Sequence, residues 1–116
     1  WPAARVLLHW LQTNLETQLG ATLRGAKIVE LGAGTGFLAL SLANAGVQNI
    51  LAVEGAEQGY MNLEHNISTS RTTVVMPLQW DWEKQPDIPS EVPTALDFVF
   101  GSDIVYPRYY NCDALC

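Results

Sequence analysis

The sequence predicts an α/β fold in which a mostly parallel sheet is layered between helices. Three observations carry that expectation. Short apolar runs alternate with helical patterns along the chain, and a glycine-rich loop joins the first such run to a helix. With 48% hydrophobic and 16% charged residues over 116 positions, there are enough apolar side chains for one core. A single domain spanning residues 1–116 is the expected unit. The chain begins at Trp1 and stops at Cys116 without an obvious terminal element, so it reads as a segment of a longer protein whose fold is incomplete.

The first element is a helix from Ala3 to Leu19. Val6, Leu7, Trp10, Leu11, Leu15 and Leu19 recur at spacings of three and four, which predicts one apolar stripe, and Gly20 is placed to end it. Lys27 to Leu31 is a brief apolar run that breaks into Gly32, Gly34 and Gly36, and a helical pattern then runs from Phe37 to Ala45: strand, tight loop, helix. Gly46 stands where a helix C-cap is expected, and Asn49 to Val53 reads as a second buried strand ending at Glu54. Between Ala56 and Ile67, the residues Tyr60, Leu63 and Ile67 fall on one helical face. Thr72 to Met76 supplies the β-branched residues of a third strand, closed by Pro77. Pro86, Pro89 and Pro93 mark a surface loop, and Ala95 to Phe100 is a fourth strand. Right-handed crossovers then bring the loops after each strand to one edge of the sheet, where a ligand is expected to bind.

Composition narrows the function. Twelve acidic residues against six basic ones give a net charge of −6, and no Lys/Arg stripe offers the cationic contacts that nucleic acid requires. A partner with cationic character, such as a lysine-bearing protein surface, suits that balance better. No window approaches the ~20 apolar residues needed to cross a bilayer, and no secretion signal is evident, so a soluble cytoplasmic protein is expected, with the nucleus as a second location. Cys112 and Cys116 form no disulfide framework and lack a second pair for a metal site. His9 and His65 have no acid or Cys at ligand spacing. No metal is expected.

The run Glu30-Leu31-Gly32-Ala33-Gly34-Thr35-Gly36 lies between a strand and a helix, the context that turns a glycine pattern into a ligand-binding signal. A dinucleotide fingerprint requires Gly or Ala at position 37, where Phe37 stands, and no Gly-Lys-Ser/Thr follows to make a phosphate-binding loop. The form E-L-G-x-G-x-G instead resembles the first motif of class I methyltransferases, in which the loop lies against the methionine part and ribose of S-adenosylmethionine. Glu54, eighteen residues after Gly36 at a strand end, is placed to accept hydrogen bonds from ribose hydroxyls; without the loop it would read equally well as a solvated acid.

Four features together resemble methyltransferase family 16, a protein-lysine methyltransferase group whose members modify chaperones, elongation factors and calmodulin. They are Trp1-Pro2-Ala3-Ala4, the loop Val29 to Gly36, Leu78-Gln79-Trp80, and Gly101-Ser102-Asp103-Ile104-Val105-Tyr106, which carries a D-x-x-Y motif. The resemblance implies a Rossmann-like class I methyltransferase sandwich of three layers, of which residues 1–116 are the N-terminal, cofactor-binding part, C-terminally incomplete because the family's fold continues beyond D-x-x-Y with a helix and three further strands. It also implies that Trp1, Glu30, Gly32, Ala33, Gly34, Glu54, Trp80 and Ser102 hold S-adenosylmethionine, and that Asp103 and Tyr106 stand at the methyl-transfer centre. Trp82 offers a second register for the adenine-side tryptophan. The D-x-x-Y lacks the prolines of the N-P-P-Y and D-P-P-Y tetrads in enzymes that methylate nucleic-acid amino groups, which favours a protein lysine as substrate. From spacing alone, Asp103 reads as well as a turn cap and Tyr106 as a half-buried aromatic. Two other functions stay open: methylation of a small molecule or nucleic acid, and a binding protein that keeps the fold without turnover.

Overall fold

Four strands, β1 (Lys27–Leu31), β2 (Asn49–Glu54), β3 (Val75–Gln79) and β4 (Phe98–Gly101), form one sheet in a computed structural model that describes residues 2–15 and 18–104, without the side chains at 15 and 18–21. The strand order is β3-β2-β1-β4 and every pairing is parallel, as the alternating pattern predicts. Four helices accompany them: α1 (Pro2–Leu15), α2 (Gln18–Gly25), α3 (Phe37–Asn44) and α4 (Glu57–Ser70). Through α3 and α4 the chain winds from β1 to β2 to β3, and it then crosses back to lay β4 on the other side of β1. That reversal makes the carboxyl ends of β1 and β4 the topological switch point, where open α/β sheets bind their ligands.

Alternation along the strands divides the sheet into two faces. In register, Ile28, Ile50, Val75 and Phe98 form one row on the helix-covered face, and Glu30, Ala52 and Phe100 form the next. These rows pack beneath Leu8, Leu11, Leu23, Leu38, Ala39, Leu42, Leu63 and Ile67, so all four helices contribute to one core. The opposite face carries Val29, Leu51, Val53, Met76 and Val99, with Met76 and Val99 exposed. No helix covers it among the described residues. Two layers of the expected three are therefore in view.

At the amino end of the sheet a reciprocal pair fixes the β1/β4 register. Lys27 N–H donates to Asp97 Oδ2 at 2.8 Å, and Asp97 N–H donates to Lys27 O at 3.0 Å. This pairing starts β4 at Phe98 and carries it to Gly101, later than the predicted span of Ala95 to Phe100.

Four further expectations are corrected. Gly20 does not end the helical run: Pro2–Leu15 and Gln18–Gly25 are both helical, and burial of Leu23 outweighs the poor helix propensity of one glycine. The predicted stripe on α1 is rotated: Leu8 and Leu11 are buried, whereas Val6 and Trp10 are 69% and 55% exposed. Pro77 lies inside β3 instead of closing it. Val74 O accepts from Ile50 N–H and Trp80 N–H donates to Glu54 O, so even-numbered residues of β3 face β2 and Pro77 turns its missing donor to the free edge, where it costs no ladder bond. The helix expected over 56–67 continues to Ser70. Helix α3 ends as the spacing predicts, with Val47 N–H returning to Leu42 O at 3.1 Å beside Gly46.

Leu63 is fully buried between α4 and the glycine loop. Its replacement by Ala is expected to lower unfolding free energy in urea by about 2–5 kcal/mol, whereas Val6→Ala is expected to stay within about 0.5 kcal/mol. A loss at Val6 as large as that expected at Leu63 would contradict the outward placement of Val6 on α1.

Candidate functional site

The glycine loop leaves β1 at Leu31 and is tied at three points. Ala33 N–H donates to Val53 O at 2.8 Å, Gly36 N–H to Ala33 O at 2.9 Å, and the Asn66 side chain of α4 donates to Thr35 O at 2.8 Å. Gly32 has φ +65°, and a Cβ there would lie 2.7 Å from Ile104 Cγ2. The chain after β4 thus folds over the loop, which a side chain at position 32 would prevent. Gly34, at φ +56°, differs: a Cβ would meet nothing within 4 Å. Open space faces the middle of the loop.

Glu54 closes the other side. Its Oε2 accepts the Gly34 N–H at 2.8 Å and its Oε1 accepts the Ala56 N–H at 3.0 Å, so one carboxylate holds the loops after β1 and β2 together. Each oxygen retains a lone pair for another donor. Beyond Glu54 the ends of β2 and β3 approach closely, since a Cβ on Gly55 would lie 3.2 Å from Asp81 Cα. Beside that approach is a cavity of ≈ 430 Å³, with Gly55, Ala56 and Glu57 on one wall and Gln79, Asp81, Lys84 and Gln85 on the other. Asp81 Oδ2 accepts from Lys84 Nζ at 2.7 Å, which holds the Asp81 carboxyl below its ordinary range.

Trp80 is anchored at this wall. Its backbone N–H donates to Glu54 O at 3.2 Å and its indole N–H to Gln85 O at 2.7 Å. Trp82 packs edge-on against it, with ring centroids 6.1 Å apart at 74°. The two candidate tryptophans are therefore one cluster, both half-buried. At the end of β4, Ser102 is half-buried and Asp103 is exposed with φ +59°, a left-handed conformation that Asp adopts more readily than most residues. Trp1 and Tyr106, predicted at the cofactor and at the transfer centre, lie outside the described residues, as do Cys112 and Cys116.

Glu30 occupies a different position from the other predicted residues. It points to the helix-covered face, 2% exposed, between Ala52 and Phe100 in the register, and Oε2 is buried without a hydrogen-bond partner. Burial raises its pKa to about 8; the Ala39 backbone N–H at the start of α3 opposes that shift and the nearby Glu54 charge adds to it. The side chain lies beneath the loop and not on the surface the loop presents. Carboxyl ends of all four strands thus assemble Gly32, Ala33, Gly34, Glu54, Trp80, Ser102 and Asp103 at one edge of the sheet, with Glu30 underneath. Sequence patterns did not reveal Asn66, Gln85 and Ile104; they act through tertiary contacts that no local spacing encodes.

Comparison with known proteins follows the same outline. The model of a family described as lysine methyltransferase matches residues 1–112. EEF1A lysine methyltransferase 3 of Xenopus tropicalis is 31% identical over 108 residues, covering 91% of this chain and 44% of that protein. Protein N-lysine methyltransferase METTL21A of the same frog is 30% identical over 108 residues, covering 91% and 46%. The chain thus spans a little under half the length of these relatives. Among solved structures, a putative RNA methyltransferase from Pyrococcus horikoshii superposes with a TM-score of 0.61 at 26% identity, over 86% of this chain and 44% of that one. TYW2 of M. jannaschii, solved in complex with AdoMet, gives a TM-score of 0.56 at 25% identity, over 66% and 33%.

Between pH 4.5 and about 8, Glu30 is protonated in the folded protein and ionised in the unfolded chain. The unfolded state then binds fewer protons, so this residue's contribution to stability is full below that window and is lost as pH rises through it. Glu30→Gln should therefore gain stability relative to wild type as urea unfolding is repeated from about pH 5 to about pH 8. A constant difference across that range would show that Glu30 titrates normally.

Proposed function

The chain belongs to the lysine methyltransferase family, and on that footing we propose that the whole protein is an S-adenosylmethionine-dependent protein-lysine N-methyltransferase, with its cofactor held by the loops at the carboxyl end of the sheet. One observation carries the cofactor assignment: the loop is held open by Glu54 while the missing Cβ of Gly34 leaves free space in front of it. A cradle of this kind fits a ligand that must approach backbone closely. The residues present fit S-adenosylmethionine. Gly32, Ala33 and Gly34 would line its methionine side, Glu54 would accept from the ribose hydroxyls, and Trp80 or its neighbour Trp82 would flank the adenine. Trp1 would pack against it as well, and Ser102 would close the site from the end of β4. Glu30 would support the loop from below. The TYW2 structure with AdoMet supports this reading through its shared fold.

When bound, S-adenosylmethionine supplies an activated methyl group on a cationic sulfur. The chain's task is then to orient the acceptor and exclude water. A lysine ammonium, with a reference pKa of about 10.4, has no lone pair and must lose a proton before it can attack. Asp103, exposed just after the end of β4, is suited to capture the ammonium and orient it, with Tyr106 as an aromatic wall or hydroxyl acceptor. An acid that pairs with the ammonium favours its charged form, so Asp103 acts in capture and not as a strong base. The relatives named for EEF1A and for protein N-lysine methylation support a protein substrate; the first name favours an elongation factor, and a chaperone or similar protein follows from the family resemblance alone.

In calorimetry on the complete protein, Gly34→Arg is expected to abolish S-adenosylmethionine binding, because the new side chain enters the open space in front of the loop at a strained φ. Asp103→Ala is expected to leave that affinity unchanged and to slow methyl transfer by about a hundredfold or more. Unaltered binding by Gly34→Arg would remove the cofactor from this loop; unaltered turnover by Asp103→Ala would remove Asp103 from the transfer centre.

A further inference from the structure

Gly59 stands in the first turn of α4, where its backbone is ordinary right-handed helix and its conformation does not call for glycine. Glycine is among the poorest helix formers, so its presence there asks for a reason in packing. The three atoms nearest to a Cβ built at this position all belong to Glu54: Cγ at 2.9 Å, Cδ at 3.0 Å and Oε1 at 3.1 Å. Real Cβ contacts do not fall that short, so any other residue here would displace the Glu54 side chain.

We propose that Gly59 is a positioning residue for the cofactor site, its missing side chain being what lets the Glu54 carboxylate bridge Gly34 and Ala56. The proposal rests on the reading of Glu54 as the acceptor of the ribose hydroxyls. A displaced glutamate is a small matter for the fold, because the side chain is flexible and half-buried. For the site it is a large one. Both carboxylate oxygens already accept one N–H, at 2.8 Å from one loop and 3.0 Å from the other, and a shift of a few tenths of an ångström weakens both bonds together and misplaces the lone pairs that remain. Gly59 touches no reacting atom and acts through Glu54 alone. Stability and binding should therefore respond to its replacement in opposite directions.

Three readouts on the complete protein test this with Gly59→Ala. The thermal midpoint should stay level or rise, since alanine is the better helix former. In the ligand-free protein, the amide resonances of Gly34 and Ala56 should move in the direction they take in Glu54→Ala. Affinity for S-adenosylhomocysteine should fall by about tenfold, the scale of one misplaced charge-assisted hydrogen bond, and the same alanine should have no effect in the Glu54→Ala background. Unmoved Gly34 and Ala56 amides would overturn the inference, as would an equal loss of affinity in that background. If the wild type itself fails to bind S-adenosylhomocysteine, the proposed function falls, and the amide resonances still decide the role of Gly59.

Discussion

The carboxylate of Glu54 reaches from the end of β2 to two backbone N–H groups that belong to different loops, and the edge of the sheet is organised around that bridge. A charged acceptor makes stronger hydrogen bonds than a neutral one, and two donors fix its orientation. On one side, the Gly34 bond holds the glycine loop in the shape that keeps its front open. On the other, the Ala56 bond joins the site to the start of α4, a helix that Leu63 anchors in the core and that also supplies Asn66 to the loop. Glu54 O also receives the Trp80 N–H, so the same residue ties the wall after β3 to the loop after β1. Parallel pairing makes this possible, because it delivers the ends of β1, β2 and β3 side by side.

Beneath the bridge, the protein keeps a second acid at a structural disadvantage. Glu30 lies among Ala52, Phe100 and the start of α3, and its burial holds the proton on at neutral pH. A buried carboxyl without a partner for Oε2 is a poor choice for stability alone. Its position under the loop, within electrostatic reach of Glu54, links its charge to the site above. The β4 end shows the converse arrangement: Asp103 is exposed, in a backbone conformation that few residues other than glycine adopt.

Much of this fold was legible in the sequence. Strand-loop-helix around Gly32 to Gly36, the second strand ending at Glu54, and the C-cap at Gly46 all follow from short-range patterns, and they stand where the patterns put them. Errors arose where tertiary context decided. The stripe on α1 turned because Leu8 and Leu11 found the core while Trp10 did not, and helical spacing alone admits both solutions. Pro77 was read as a terminator, yet an edge strand tolerates proline on its unpaired side, and edge position is a property of the sheet. The site was legible as a set of strand ends; its interior was not. That Glu30 faces inward, and that Gly59 makes room for Glu54, depends on contacts between elements that no spacing records.

The function proposed for these strand ends is transfer of a methyl group to a protein lysine. The most direct measurement is to incubate the complete protein with S-adenosylmethionine labelled in its methyl group and a cell extract, then to hydrolyse the labelled products and identify the labelled species. Label is expected in N-methyl-lysine, accumulating about a hundredfold or more slowly when Asp103 is replaced by Ala. Label recovered in nucleotides or in a small metabolite, with N-methyl-lysine unlabelled, would contradict it.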